Sequence, residues 1–311
     1  MSAVATPETS LTDRPQPKRS RRWARSSGEA HKRLTSRWAS FAAVVIAVLW
    51  TIPTAGLFVT SFRPQDMINS SGWWTILTNP GFTLENYRLA LSKSSTAALS
   101  TYFVNSLVIT IPAVVIPIVI AALAAYAFAW MRFPGRDFLF VAVFALQVVP
   151  LQVALLPLLT LYTETLHLQR SFWTLWLSHS IFALPLAIYL LHNFMREVPA
   201  ELIEAARVDG ASHVRIFTKL MLPLITPAVA AFGIFQFLWV WNDLLVALTF
   251  AGGTQNVAPL TVRLAELSGT RGADWHLLSA GAFISLIIPA VVFISMQRYF
   301  VRGLLAGSVK G

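Results

Sequence analysis

Glu201-Leu202-Ile203-Glu204-Ala205-Ala206-Arg207-Val208-Asp209-Gly210-Ala211 is a short polar interlude between two long apolar runs. Leu202, Ile203, Ala205 and Ala206 form a small apolar stripe at helical spacing. Pro199 suits the first turn of such a helix, where its missing N–H is not needed. Gly210 is a stop signal, because glycine turns left-handed without steric cost. His213 to Leu220 then read as a second short helix, with Arg215 and Lys219 on its polar side and Pro223 ending it and opening the next apolar run. The spacing predicts a helix–Gly–helix elbow, a shape suited to docking into a cleft of another protein.

The flanks of the elbow decide the fold class. The chain has 311 residues, of which 56% are hydrophobic and 12% charged. A soluble domain carries about 25% charged residues. A bilayer core needs about 20 apolar residues per helix, and runs of that length occur at 39–62, 104–130, 138–162, 172–191, 222–250 and 279–300. Pro53, Pro112, Pro117, Pro150, Pro157, Pro185 and Pro289 interrupt several of them. Such breaks are tolerated where neighbouring helices satisfy the freed carbonyls, which favours a packed bundle lining a pathway. The expectation is an all-α membrane protein with six transmembrane helices. Residues 1–38 form a basic, disordered tail lying near anionic lipid, 39–300 the membrane domain with the elbow loop at 196–222, and 301–311 a short C-terminal tail.

Orientation follows from Lys and Arg. With the N-terminus inside, 18 of the 24 fall on the inner side and six, Arg63, Arg88, Lys93, Arg170, Arg263 and Arg271, on the outer side. Both termini and the elbow are then cytoplasmic. Ser20-Arg21-Arg22-Trp23 loosely resembles a twin-arginine export signal, but the apolar run after it is too long for a signal core, so a retained anchor is expected.

The chemistry-bearing patterns are missing. There is no cysteine, which excludes disulfides and thiolate metal sites. His31, His167, His179, His192, His213 and His276 are scattered, no HExxH or GxSxG occurs, and no phosphate loop of the GxxxxGK[ST] type is present. Leu267-Ser268-Gly269-Thr270 faintly resembles an ATPase signature, but it falls in an outer loop and reads as plain connector. The expectation is a chain without catalysis, metal or bound cofactor, and with no nucleic-acid partner.

Glu204-Ala205-Ala206, Gly210 and then Leu222-Pro223, with Leu220 in place of isoleucine, resemble the EAA loop of ATP-binding-cassette importer permeases. Asn105-Ser106-Leu107, Ala124 to Phe128, Arg132-Phe133-Pro134-Gly135-Arg136, Trp241-Asn242-Asp243 and the end from Gly303 to Gly311 look like the MalG-type sugar permeases. The likeness covers about 39–311, and the segment 251–311 looks most like the alpha-glucoside branch. The resemblance implies the type I importer permease (MetI-like) architecture in the bacterial inner (plasma) membrane. It implies a MalF-like second permease, two ATPase subunits that hold the ATP and Mg, and an extracytoplasmic sugar-binding protein. It places Glu204, Ala205, Ala206, Asp209, Gly210, Leu222 and Pro223 at the ATPase contact. Gly303, Gly307, Val309, Lys310 and Gly311 belong to a tail reaching between the ATPases. The substrate implied is a di- or oligosaccharide, and the likeness of 251–311 implies an alpha-glucoside.

Asp243 is the one carboxylate well inside an apolar run, and such residues face a cavity or a partner. With Asn242 it is a candidate for the pathway or a gate; a structural hydrogen-bonded pair is the alternative. His179, between Ser178 and Ser180, reads first as a structural donor. Phe235, Phe237, Trp239 and Trp241 read first as packing, with ring faces for a sugar as the alternative. Gly253, Thr254, Gln255 and Asn256 lie in a polar, flexible outer loop, either inserted into the binding protein or a plain connector. An ion-coupled secondary transporter of sugars is the competing function; it would favour several mid-membrane acids.

Overall fold

The computed structural model describes residues 37–92, 98–270 and 272–308, and side chains as far as 297. The basic tail thus lies outside the described residues except at its last two positions. Among the described residues every regular element is helical. The helices are α1 (Arg37–Ser61), α2 (Gln65–Ser70), α3 (Glu85–Leu91), α4 (Leu99–Trp130), α5 (Arg136–Ala145), α6 (Leu151–Thr160), α7 (Phe172–Arg196), α8 (Ala200–Val208), α9 (His213–Ile216), α10 (Leu222–Trp241), α11 (Leu245–Phe250), α12 (Leu260–Ser268) and α13 (Trp275–Ser308). Residues up to Gly56 form one unit and those from Leu57 onward a second.

Five helical stretches are long and apolar enough to cross a membrane, and six when one bent pair is taken as a single span. The exception is the third predicted span. It runs from Arg136 to Val148, stops, and restarts at Leu151 with a bend of 99°. The cause is local. Pro150 cannot donate to the helix, and it drives the residue before it into extended geometry; Val149 has φ −69° and ψ 118°. The expected span at 138–162, which Pro150 interrupts, is thus two helices joined at a sharp bend.

The fifth span differs in the opposite sense. Pro223 does not end the elbow's second helix, as expected, because His213–Trp241 is continuous. Phe217–Met221 widens into a π turn, with the Leu222 N–H on the Phe217 carbonyl. The wider turn accommodates the ring that would otherwise strike the carbonyl four residues back. The predicted continuation to 250 is broken instead at 242–244, between α10 and α11.

The core of the second unit is built on small residues. Ala121, Ala122, Ala125 and Ala129 of α4 lie in one buried cluster with Ala183, Ala187 and Leu191 of α7. Small side chains let helix backbones approach closely, which is how membrane helices associate without a hydrophobic drive between them. Ile225, Ala228 and Phe232 of α10 and Met195 of α7 complete that cluster. At the opposite end, Leu99 and Tyr102 of α4 pack with Leu260, Val262 and Leu267 of α12 and Leu277 and Ala280 of α13.

Candidate functional site: the elbow and the opposite end of the bundle

The elbow closes as a Schellman turn. The Ala211 N–H bonds the Ala206 carbonyl at 2.9 Å and the Gly210 N–H bonds Arg207 at 2.9 Å. This pairing satisfies carbonyls that a helix end leaves orphaned, and it requires a left-handed residue at position 210, where Gly210 has φ +76°. Ser212 then caps the second helix, accepting the Arg215 N–H at 3.4 Å. The sequence reading missed Ser212, although a serine directly before a helix is a readable start signal.

Two layers of side chain divide the work of the elbow. Ile203 and Ile216 are buried in the same cluster as Ala125 and Leu191. Tyr126 Oη lies 3.1 Å from His213 Nδ1, and Arg207 reaches the Trp130 carbonyl at 3.5 Å. The elbow is thus keyed to the end of α4. On its other face Glu204, Ala205, Asp209 and Gly210 are exposed, as are Leu222 and Pro223 at its exit. Val208 is 88% and Val214 72% exposed, and Leu202 also faces out. The expected stripe of four apolar residues is split: Ile203 and Ala206 face the bundle, Leu202 and Ala205 do not.

At the opposite end of the bundle, Gly253, Gln255 and Asn256 are exposed and Thr254 is half-buried. The segment carries turn hydrogen bonds. The Val257 and Ala258 N–H groups both bond the Thr254 carbonyl. Asn105 Nδ2 donates to the carbonyls of Gln255 at 2.8 Å and Ala258 at 3.0 Å. Ser106 Oγ accepts the Leu260 N–H at 2.8 Å, starting α12. Asn105-Ser106 thus pin the turn from 150 residues away. Asn105→Leu strands two carbonyls, at about 1–3 kcal/mol each when buried. Faster amide exchange and protease cleavage across 252–258, with the elbow unaffected, are the expected results.

Asp243 sits at the break in the fifth span. Its carboxylate accepts the Val246 N–H at 3.3 Å and the Ala247 N–H at 2.9 Å, capping α11. His179 Nε2 lies 3.8 Å from Asp243 Oδ2, longer than a hydrogen bond. Asn242 turns away, its amide donating to the Leu238 carbonyl at 2.8 Å. The four aromatics separate into two pairs. Phe237 and Trp241 stack with centroids 5.6 Å apart, and the Trp241 indole N–H bonds the Ser285 carbonyl. Phe235 and Trp239 face outward. The backbone at Gly303 and Gly307 continues α13, whereas Val309, Lys310 and Gly311 lie outside the described residues.

The model of the family described as "Binding-protein-dependent transport system inner membrane component" matches residues 117–305. The chain is 56% identical over 273 residues to the osmoprotective compounds uptake permease protein GgtD of Synechocystis sp., covering 86% of this chain and 90% of that one. It is 39% identical to the alpha-glucoside transport system permease protein AglG of Rhizobium meliloti, covering 88% of this chain and 97% of that one. Among solved structures, a bacterial ABC transporter involved in the import of the acidic polysaccharide alginate aligns with TM-score 0.62 and 14% identity. It spans 88% of this chain and 99% of that chain. The expected importer-permease fold is borne out by that likeness. An elbow keyed to a helical bundle, matched along its length by permeases, makes this chain a multi-pass member of the binding-protein-dependent transport system inner membrane component family.

Proposed function

We propose that this chain is one of two permease subunits of an ATP-driven importer for a neutral glycoside, coupled through its elbow to a separate ATPase. The observation that carries this reading is the elbow's outer face. Leu202, Ala205, Val208 and Val214 are left exposed around Glu204 by a turn whose inner face is locked to the core. Apolar surface rimmed by charge is what a partner covers. The relatives narrow the cargo: GgtD is named for osmoprotective compounds and AglG for alpha-glucosides. A second solved likeness is an alginate ABC transporter in complex with a pentasaccharide-bound periplasmic protein, which supports a receptor as a further partner.

The division of labour follows from this. Two ATPase subunits hold ATP and Mg, and this chain performs no catalysis. The elbow and both termini are cytoplasmic, Gly253 to Asn256 face the sugar receptor, and the tail from Gly303 to Gly311 reaches toward the ATPases. Asn242 and Asp243 lie at the pathway's outer gate. ATP-driven closure of the ATPases moves the elbow as a rigid lever and tips the spans between two facings. Co-expression with a MalF-like permease, the ATPase and the receptor tests the reading. Expected are a complex that co-purifies and takes up an alpha-glucoside in a vanadate-sensitive manner. Uptake indifferent to ATP depletion but abolished by a protonophore would show an ion-coupled transporter instead.

A further inference from the structure

Two spans lose regular helix around one space. Gln147 lies on the 3-10 turn Leu146–Val148, just before the 99° bend. Gln236, Phe235 and Trp239 lie on the last turns of α10, just before its break at 242–244. Together with His179 of α7 they border a single cavity. Non-helical backbone at membrane depth is tolerated only where protein buries it or it lines a wet cavity. Discontinuous spans are also where transporters place their substrate sites.

The cavity wall has a definite chemistry. The His179 ring is 3% exposed and makes no hydrogen bond among the described residues, its Nε2 lying 3.8 Å from Asp243 Oδ2. Gln236 is buried, with its Nε2 on the Ala113 carbonyl at a long 3.3 Å and the other end of its carboxamide unengaged among the described residues. The Gln147 carboxamide is exposed and unengaged among the described residues. Beside these, Phe235 is 51% and Trp239 46% exposed, with ring centroids 5.9 Å apart and planes at 70°. No Lys, Arg, Asp or Glu borders the cavity. Flat aromatic faces beside a few neutral hydrogen-bonding groups fit a ligand that is uncharged, polyhydroxylated and apolar on one ring face.

We infer that this chain itself contacts the transported glycoside, with Phe235 and Trp239 stacking on its ring and Gln147, His179 and Gln236 bonding its hydroxyls. The inference rests on the importer reading above. In the present conformation the cavity holds about 20 Å³, room for one water molecule. A sugar therefore enters when the bend at Pro150 and the end of α10 move apart, and the exposed sides of Phe235 and Trp239 face the companion permease, which completes the site. Binding is confined to one state of the cycle, and discrimination among sugars comes partly from this subunit.

The test uses the assembled transporter in proteoliposomes, with uptake of radiolabelled trehalose, sucrose and maltose measured beside receptor-stimulated ATP hydrolysis. Trp239→Ala and Gln147→Leu are expected to lower uptake about tenfold, the scale of one lost stacking or hydrogen-bonding contact. They should shift the preference among the three sugars and keep co-purification and ATP hydrolysis. Trp239→Phe, which keeps a ring, should recover most of the uptake. Unchanged uptake and preference in both variants would overturn the inference while leaving the importer reading intact. So would a loss of uptake matched by an equal loss of ATP hydrolysis, which marks a packing role. A wild-type complex that carries none of the three sugars under ATP would remove the importer reading and this site with it.

Discussion

Glu204→Lys is expected to reduce ATP-driven uptake by about a hundredfold or more and to leave the bundle folded. The physical argument is a contrast between the free chain and the assembled one. In the chain alone Glu204 is exposed, and no hydrogen bond or ion pair to its carboxylate occurs among the described residues. Replacing it therefore disturbs nothing that holds α8, whose stability comes from Ile203 in the core and the Schellman turn at Gly210. On the proposed reading the same carboxylate lies in the middle of an apolar face that the ATPase would cover. A charge pair covered in this way is costly to break, by about 3–5 kcal/mol, because the remaining charge is left unpaired. At 1.4 kcal/mol per decade that is roughly two to four orders of magnitude in association. Co-purification with the ATPase should fall in step with uptake, while thermal melting of the detergent-solubilised chain stays at the wild-type value. Full uptake by the variant would remove the elbow's assigned role. Glu204→Gln separates charge from shape: it keeps the hydrogen-bonding outline, so a smaller loss is expected.

How much of this was legible beforehand depends on whether the signal was local. The elbow was, because Gly210 ends a short helix by backbone geometry alone and the closing hydrogen bonds span only six residues. The spans were, because their length and apolarity are properties of continuous segments. The 99° bend was not. Pro117 and Pro185 sit buried in unbroken helices, and Pro53 is exposed in one, whereas Pro150 ends its helix. The residue is the same each time, so a proline by itself does not say which apolar run breaks. Asn105-Ser106 carried a resemblance without a role, since their acceptor and donor lie 150 and more residues on. Gln147 and Gln236 were passed over, although an amide inside an apolar run is itself a sign of a cavity or a partner. The charge pattern places Arg63 among the outer-loop cations, whereas in the structure it is 1% exposed.

That buried arginine supports the other large prediction. Arg63 has no carboxylate among its hydrogen-bond partners in the described residues. Its guanidinium donates to the Gly72 carbonyl, to Ser71 Oγ at 2.9 Å and to Thr75 Oγ1 at 3.0 Å. Asn86 Nδ2 fixes the start of the same segment from the other side, donating to the carbonyls of Ser61 and Arg63 at 2.9 and 2.8 Å. A charged donor in the interior is worth about 1.5–3 kcal/mol per hydrogen bond. Ser71 and Thr75 keep second partners, the Met67 and Gly72 carbonyls, when the guanidinium is gone. Arg63→Met, which preserves much of the length and removes all donors, should therefore cost about 2–4 kcal/mol, less than three full bonds. The loss is local to one segment, so segment-resolved exchange reads it better than a global melting temperature does. Amide exchange across 64–78 should instead accelerate roughly 30- to 1000-fold, the range those energies imply at 1.4 kcal/mol per decade. Arg88→Met is the control. Arg88 pairs with Glu85 at 3.6 Å with its side chain 82% exposed, and an exposed pair contributes about 0–1 kcal/mol. Equal exchange rates in the two variants would mean that the buried guanidinium holds nothing. A selective acceleration in Arg63→Met would identify it as the clamp that orders the segment between α1 and α3, held by neutral acceptors that leave no trace in a pattern of charges.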